Sequence, residues 1–148
     1  MSDFKVPYEL GFTTYFQKTV SEADVYMFAG ISGDMNRAHL NDQYMKTTHI
    51  GQRVAHGMLT LSIASAAETA LLDAKFQEME AMGISYLSLG YEHVRFIKPV
   101  FFNDTLNVSY ELIDINEETK RTIGRLTVIN QHDEVVCVGD HILKFFLK

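Results

Sequence analysis

Two rhythms of apolar and polar positions divide this chain. Leu10, Phe12 and Phe16 fall on one side of a short run, which predicts a first strand from about Leu10 to Phe16. Ser21-Glu22-Ala23-Asp24 then reads as a helix start, with Ser21 as N-cap and acids in the first turn. That helix would turn Val25, Phe28 and Ala29 inward and stop between Gly30 and Gly33. A short helical piece is expected over Asp42 to Lys46. From Val54 to Leu72 the residues are apolar or small on every side, and Glu68 is the only formal charge. A helix of that composition is expected to be enclosed by the rest of the molecule.

After Gly83 the period shortens to two. Ser85 to Ile97 reads as a strand ending before Pro99. Leu106, Val108, Tyr110 and Leu112 alternate with Asn107, Ser109 and Glu111. Thr122 to Asn130 and Val135 to Phe146 complete the set, with Glu117-Glu118 and His132-Asp133-Glu134 as turns that pair their neighbours antiparallel. One early strand, one buried helix and four later strands predict an α+β hot-dog architecture, an antiparallel β-sheet wrapped around a central helix.

At 148 residues the chain suits a single domain over 1–148, with no internal repeat or linker. Thirteen Lys and Arg against nineteen Asp and Glu leave a net charge of −6, which argues against nucleic acid or an anionic membrane surface as partner. The lone Cys137 excludes an internal disulfide and a cysteine-rich zinc site. The stretch from Met1 to Pro7 lacks the apolar core of a signal peptide. No run approaches the roughly 18 apolar residues of a membrane helix. A cytoplasmic location without membrane partners is expected.

Reactive residue types are densest in Ser32-Gly33-Asp34-Met35-Asn36-Arg37-Ala38-His39. Glycine and Asn make this a loop. A carboxylate and an imidazole held close together can share one water, the imidazole taking or giving a proton near neutral pH. An Asp capping a turn beside a hydrogen-bonded structural His would leave the same pattern. The second signal is Val54-Ala55-His56-Gly57-Met58, where the apolar helix begins. Gly57 leaves its backbone N–H accessible at a helix N-terminus, where negative charge on an acyl oxygen would be stabilised. Close packing of helix on strand would equally call for a glycine there.

Together these two segments resemble the MaoC-like, or (R)-specific enoyl-CoA hydratase, family of hot-dog enzymes. Its first motif reads roughly Ser-Gly-Asp-x-Asn-Pro-x-His, and Phe96-Ile97-Lys98-Pro99-Val100 with Asp104-Thr105-Leu106 resembles a third signature. The resemblance implies that Asp34 and His39 are the catalytic pair and that the Gly57 N–H is the donor to a thioester carbonyl. It implies that Asn36 holds the loop or the water, that the substrate is a trans-2-enoyl thioester of CoA or acyl carrier protein, and that the assembly is a homodimer. Neither a cofactor nor a metal is implied. This chain departs from the pattern at Arg37, where Pro is usual, at Asn41, where an acid often stands, and at Asn103, where Gly often precedes Asp-Thr.

Met35, Met58, His56 and Ser65 are further candidates for lining the substrate pocket, and Met45 also flanks it. Each has an ordinary structural explanation, in core filling, helix capping or helix packing. His49, His56, His93, His132 and His141 share no metal-ligand spacing with cysteine or paired acids. Lys75 and Lys98 are candidate contacts for CoA phosphates. A hot-dog thioesterase, in which water attacks the carbonyl, is the competing enzyme; its acid more often sits on the central helix, where Glu68 stands. The same pattern would also suit a 3-hydroxyacyl carrier-protein dehydratase or a catalytically inactive acyl-binding subunit.

Overall fold

The computed structural model describes residues 4–148. Met1, Ser2 and Asp3, part of the stretch on which the signal-peptide expectation rests, lie outside the described residues. In chain order the elements are β1 (Thr13–Thr19), α1 (Glu22–Ser32), α2 (Arg37–Leu40), α3 (Asp42–Lys46), α4 (Gly57–Ala74) and α5 (Phe76–Ala81). There follow β2 (Ile84–Phe96), β3 (Thr105–Asn116), β4 (Arg121–Ile129) and β5 (Val135–Leu147). The strands form one sheet in the order β1-β3-β4-β5-β2. Every neighbouring pair is antiparallel. Period-two burial is clearest on β4, where Thr122, Gly124, Leu126 and Val128 point into the core.

The inner face of the sheet closes on α4. Leu59, Leu61, Ile63, Ala64, Ala67 and Leu71 are buried there against Leu106, Val108, Leu112, Leu126 and Val128. Two hydroxyls fix the helix to its surroundings: Thr14 Oγ1 donates to the Ala67 carbonyl at 2.7 Å, and Tyr8 donates to the Leu71 carbonyl at 3.1 Å. The hot-dog arrangement expected from the pattern is therefore the observed fold. No described helix is long and apolar enough to cross a membrane.

The boundaries need correction in several places. β1 begins three residues later than expected because Gly11 turns the chain at φ 81°, and Leu10 is left exposed. α4 begins at Gly57, since Val54 bridges Phe101 and the Ala55 N–H donates to Val100 at 2.8 Å, both extended-chain contacts. The helix is not enclosed on all sides: Met58, Ser62 and Thr69 form an exposed stripe with half-buried Ser65. Hydroxyl groups suit that stripe, as the Ser62 and Ser65 hydroxyls donate to carbonyls of the preceding turn. α2 and α5 were not expected from the pattern, both being too short to show a period. At α1 the expectation holds in detail. Ser21 Oγ accepts from the Asp24 N–H at 3.1 Å while Asp24 Oδ2 accepts from the Ser21 N–H at 2.8 Å, a complete capping box.

Candidate active site

The site begins where α1 ends. Gly33 adopts φ 76° and its N–H returns to the Ala29 carbonyl, a left-handed cap that turns the chain out of the helix. Asp34 follows with its N–H donated to Ser32 Oγ at 3.1 Å, and its Oδ1 accepts from the Asn36 N–H at 3.3 Å. Asn36 caps α2, its Oδ1 accepting from the Ala38 N–H at 2.9 Å. His39 therefore lies on a helical turn and not on the loop expected for it. His39 Nδ1 donates to the Val54 carbonyl at 2.7 Å. Because a carbonyl only accepts, the proton of neutral His39 is on Nδ1, and Nε2 carries the lone pair.

The segment from Val54 to Gly57 faces that turn. Its Val54 N–H donates to the Ala38 carbonyl at 3.1 Å, so one residue grips α2 through both of its backbone groups. His56, 2% exposed, stands at the N-cap of α4 without capping by its side chain. Its Nε2 donates to the Asp34 main-chain carbonyl at 2.9 Å. Its ring lies 3.7 Å from the His39 ring, centroid to centroid, at 31°. Gly57 follows as the first residue of α4, with an N–H that has no partner within the helix. A Cβ there would lie 2.5 Å from Cδ2 of Phe96, so glycine is required by the approach of that ring. His39, Gly57, Thr60, Phe96, Val100 and Val136 line a cavity of about 320 Å³.

Asp34, His39 and His56 each offer one oxygen or nitrogen within 4.8 Å of the others, the one such cluster among the described residues. Sequence alone paired Asp34 with His39 but did not join His56 to them, because residue 56 reaches the other two only through tertiary contact. As metal ligands two of the four ring nitrogens are already committed, His39 Nδ1 and His56 Nε2 both donating to carbonyls. Met35 and Met58 lie exposed beside the site, and Ser65 lies two turns along α4, its hydroxyl on the Ser62 carbonyl. Met45 is buried in the core, and Lys75 and Lys98 pair with Glu78 and Glu134.

All three departures from the family motif fall where the local geometry accommodates them. Arg37 is the first residue of α2, a position that suits Pro but does not require it. Asn41 caps α3, its Oδ1 accepting from the Tyr44 N–H at 2.8 Å as an Asp would. Asn103 adopts φ 71°, the left-handed conformation that Asn tolerates best after glycine.

A second polar cluster lies deeper, and sequence reasoning missed it although the lone charge of the apolar helix was a signal. Glu68 Oε1 accepts from the Tyr91 hydroxyl at 2.8 Å, and Oε2 lies 3.4 Å from His141 Nδ1. The Tyr110 hydroxyl also meets His141 Nδ1, and Ser88 Oγ meets Nε2 at 2.7 Å. Burial raises the Glu68 carboxyl to about 7 and lowers the His141 imidazolium to about 4, each shift favouring the neutral form. Burial likewise raises the Cys137 thiol to about 11, which favours its protonated form.

Comparison with known proteins gives the chain its family. A MaoC-like domain model matches residues 8–136. The chain is 34% identical over 110 residues to the (R)-specific enoyl-CoA hydratase of Rhodospirillum rubrum, covering 74% of this chain and 69% of that protein. It is 32% identical over 136 residues to the 3-hydroxybutyryl-CoA dehydratase of Methylorubrum extorquens, covering 92% and 80%. The unliganded R-hydratase PhaJ1 of Pseudomonas aeruginosa superposes with a TM-score of 0.73 at 28% identity, over 96% of this chain and 89% of that one. The chain belongs to the MaoC-like family of hot-dog proteins and is an enzyme of its hydro-lyase kind.

Proposed function

We propose that this enzyme adds water reversibly to trans-2-enoyl thioesters, giving (R)-3-hydroxyacyl thioesters. The observation that carries the reading is convergence: His39 and Gly57 line one cavity, and Asp34 and His39 stand within one-water reach of each other. Two hydrogen bonds of about 2.8 Å at a water's angle span roughly the 4.8 Å limit on their separation. The names of the relatives from R. rubrum and M. extorquens support the same chemistry.

Addition of water to the β-carbon builds negative charge on the thioester oxygen. The Gly57 N–H and the positive end of α4 stabilise that charge. Asp34 takes a proton from the attacking water. His39, with Nε2 unprotonated at rest, orients that water; the proton taken by Asp34 passes to Nε2 and from there to the α-carbon, which returns Asp34 to its ionised form. Asn36 holds the turn that carries both groups, and Met35 and Met58 offer apolar surface beside the cavity mouth. CoA is the carrier of this reading, with acyl carrier protein as its counterpart in the dehydratase reading. Residues 1–148 act as one domain, paired with a second copy as a homodimer.

Crotonyl-CoA is the probe. Loss of enoyl absorbance without release of free CoA, and an (R)-3-hydroxy product, is the expected result. Stoichiometric thiol release with the enoyl chromophore intact would replace hydration by thioester hydrolysis. Against hydrolysis stands the place of Glu68, eleven residues beyond Gly57 and so about 16 Å along the helix. Its carboxyl is turned to Tyr91 and His141.

A further inference from the structure

We propose that His56 is a positioning residue, one ring that sets the main chain of Asp34, the plane of His39 and the entry into the helix bearing Gly57. The inference rests on the hydration reading and adds to it the part that holds the three groups in register. Val54 fixes His39 through its carbonyl, and His56, two residues on, fixes Asp34 through its ring. Gly57 is the next residue. The short segment 54–57 thereby fixes the relative places of all three.

The ring's own hydrogen bonds argue against a packing role. Donation to the Asp34 carbonyl requires the Nε2–H tautomer, which leaves the lone pair on Nδ1. Nδ1 is buried and has no hydrogen-bond partner. A buried acceptor left unpaired costs about 1–3 kcal/mol. If the ring served only to fill space beside Phe28, 4.9 Å away, and His39, a phenylalanine would do so without that penalty. What phenylalanine lacks is the N–H that holds the Asp34 carbonyl. The two stacked imidazoles also carry opposite tautomers: His39 keeps Nε2 open for a proton, while His56 keeps its proton on Nε2.

Two variants separate the roles of the ring. His56→Phe keeps an aromatic face against His39 and removes the donor; His56→Gln supplies an N–H near the Nε2 position and removes the stack. With crotonyl-CoA, His56→Phe is expected to lose about 100-fold in kcat, the scale of an ångström-sized misplacement, with KM changed less than about threefold. His56→Gln should recover about tenfold of that loss. Wild-type kcat in folded His56→Phe overturns the proposal, and so does a loss confined to KM, which would make His56 a substrate contact. Should neither variant fold, nitrogen-15 NMR of the wild-type histidine rings at pH 7 decides. The Nε2–H at His56 with Nδ1–H at His39 is expected, and an Nδ1–H tautomer at His56, which leaves Nε2 with no proton to donate, overturns it. Wild-type protein inert toward crotonyl-CoA would count against the hydration reading, while the tautomer measurement would still decide the place of His56.

Discussion

Gly57 illustrates how much one absent methyl group settles. Its N–H opens α4, and the Phe96 ring lies where a Cβ would go. Gly57→Ala must push that ring aside or tilt the first turn of the helix, and either moves the N–H away from the oxyanion it is proposed to stabilise. A donor of this type is worth roughly 2.7–4 kcal/mol of barrier, so a loss of about 10²–10³ in kcat is expected. Gly57→Ala with Phe96→Leu should regain part of it if the ring is the obstacle, which steady-state kinetics on the double variant would test. Asp34→Asn and His39→Ala remove the groups to which the proposed mechanism gives the proton transfers. Each is expected to lower kcat by about 10²–10⁴ while the thermal unfolding curve stays cooperative. Near wild-type hydration by Asp34→Asn would sink the proposed mechanism.

The central helix carries a charge that its neighbours neutralise by burial. Glu68 faces Tyr91 and His141 directly, and Tyr110 stands behind His141. With its folded pKa raised from 4.5 to about 7, Glu68 contributes most to stability below pH 4.5, and that contribution is lost as pH rises through 7. His141 has the opposite sign. Lowered from 6.5 to about 4, it contributes above pH 6.5, and its contribution is lost as pH falls through 4. Each full shift corresponds to about 3 kcal/mol, and across the shared window the two slopes oppose one another. The expected consequence is differential. Between pH 4.5 and 8 the unfolding free energy of Glu68→Gln should rise relative to wild type by about 3 kcal/mol, as urea denaturation at the two ends would measure. A difference independent of pH would mean that the carboxyl is ionised throughout.

The sheet ends on two open edges, β1 and β2, and β2 is the more exposed. Tyr86, Leu87 and Leu89 lie uncovered along it, an arrangement that invites pairing with another strand. Edge-to-edge pairing of two copies through β2 would join the sheets and place Phe96, and with it the mouth of the cavity, near the seam. Light scattering at micromolar concentration is expected to return twice 16.9 kDa. Leu87→Lys, a charge on that edge, should shift the population toward monomer. A fully active monomer would remove the homodimer from the proposed assembly.

Local chemistry was enough to determine much of this protein from its sequence. Ser21 and Asp24 cap α1, Gly33 ends it, and Leu106 to Leu112 alternate, because capping, turning and pleating depend on residues within a few positions of one another. Asp34, His39 and Gly57 came forward as candidates because their two segments resemble a family's motifs; their spacing alone suited structural roles as well. Tertiary structure alone decided that His39 sits on a helical turn with Nε2 open, since that depends on the carbonyl of Val54, fifteen residues away. It alone put Phe96 over Gly57 and turned an exposed stripe of α4 away from the core. It also brought Glu68, Tyr91, Tyr110 and His141 from four separate elements to one point. A hydrogen bond or a buried charge responds to whatever lies within a few ångströms, and once the chain folds those neighbours come from far along it.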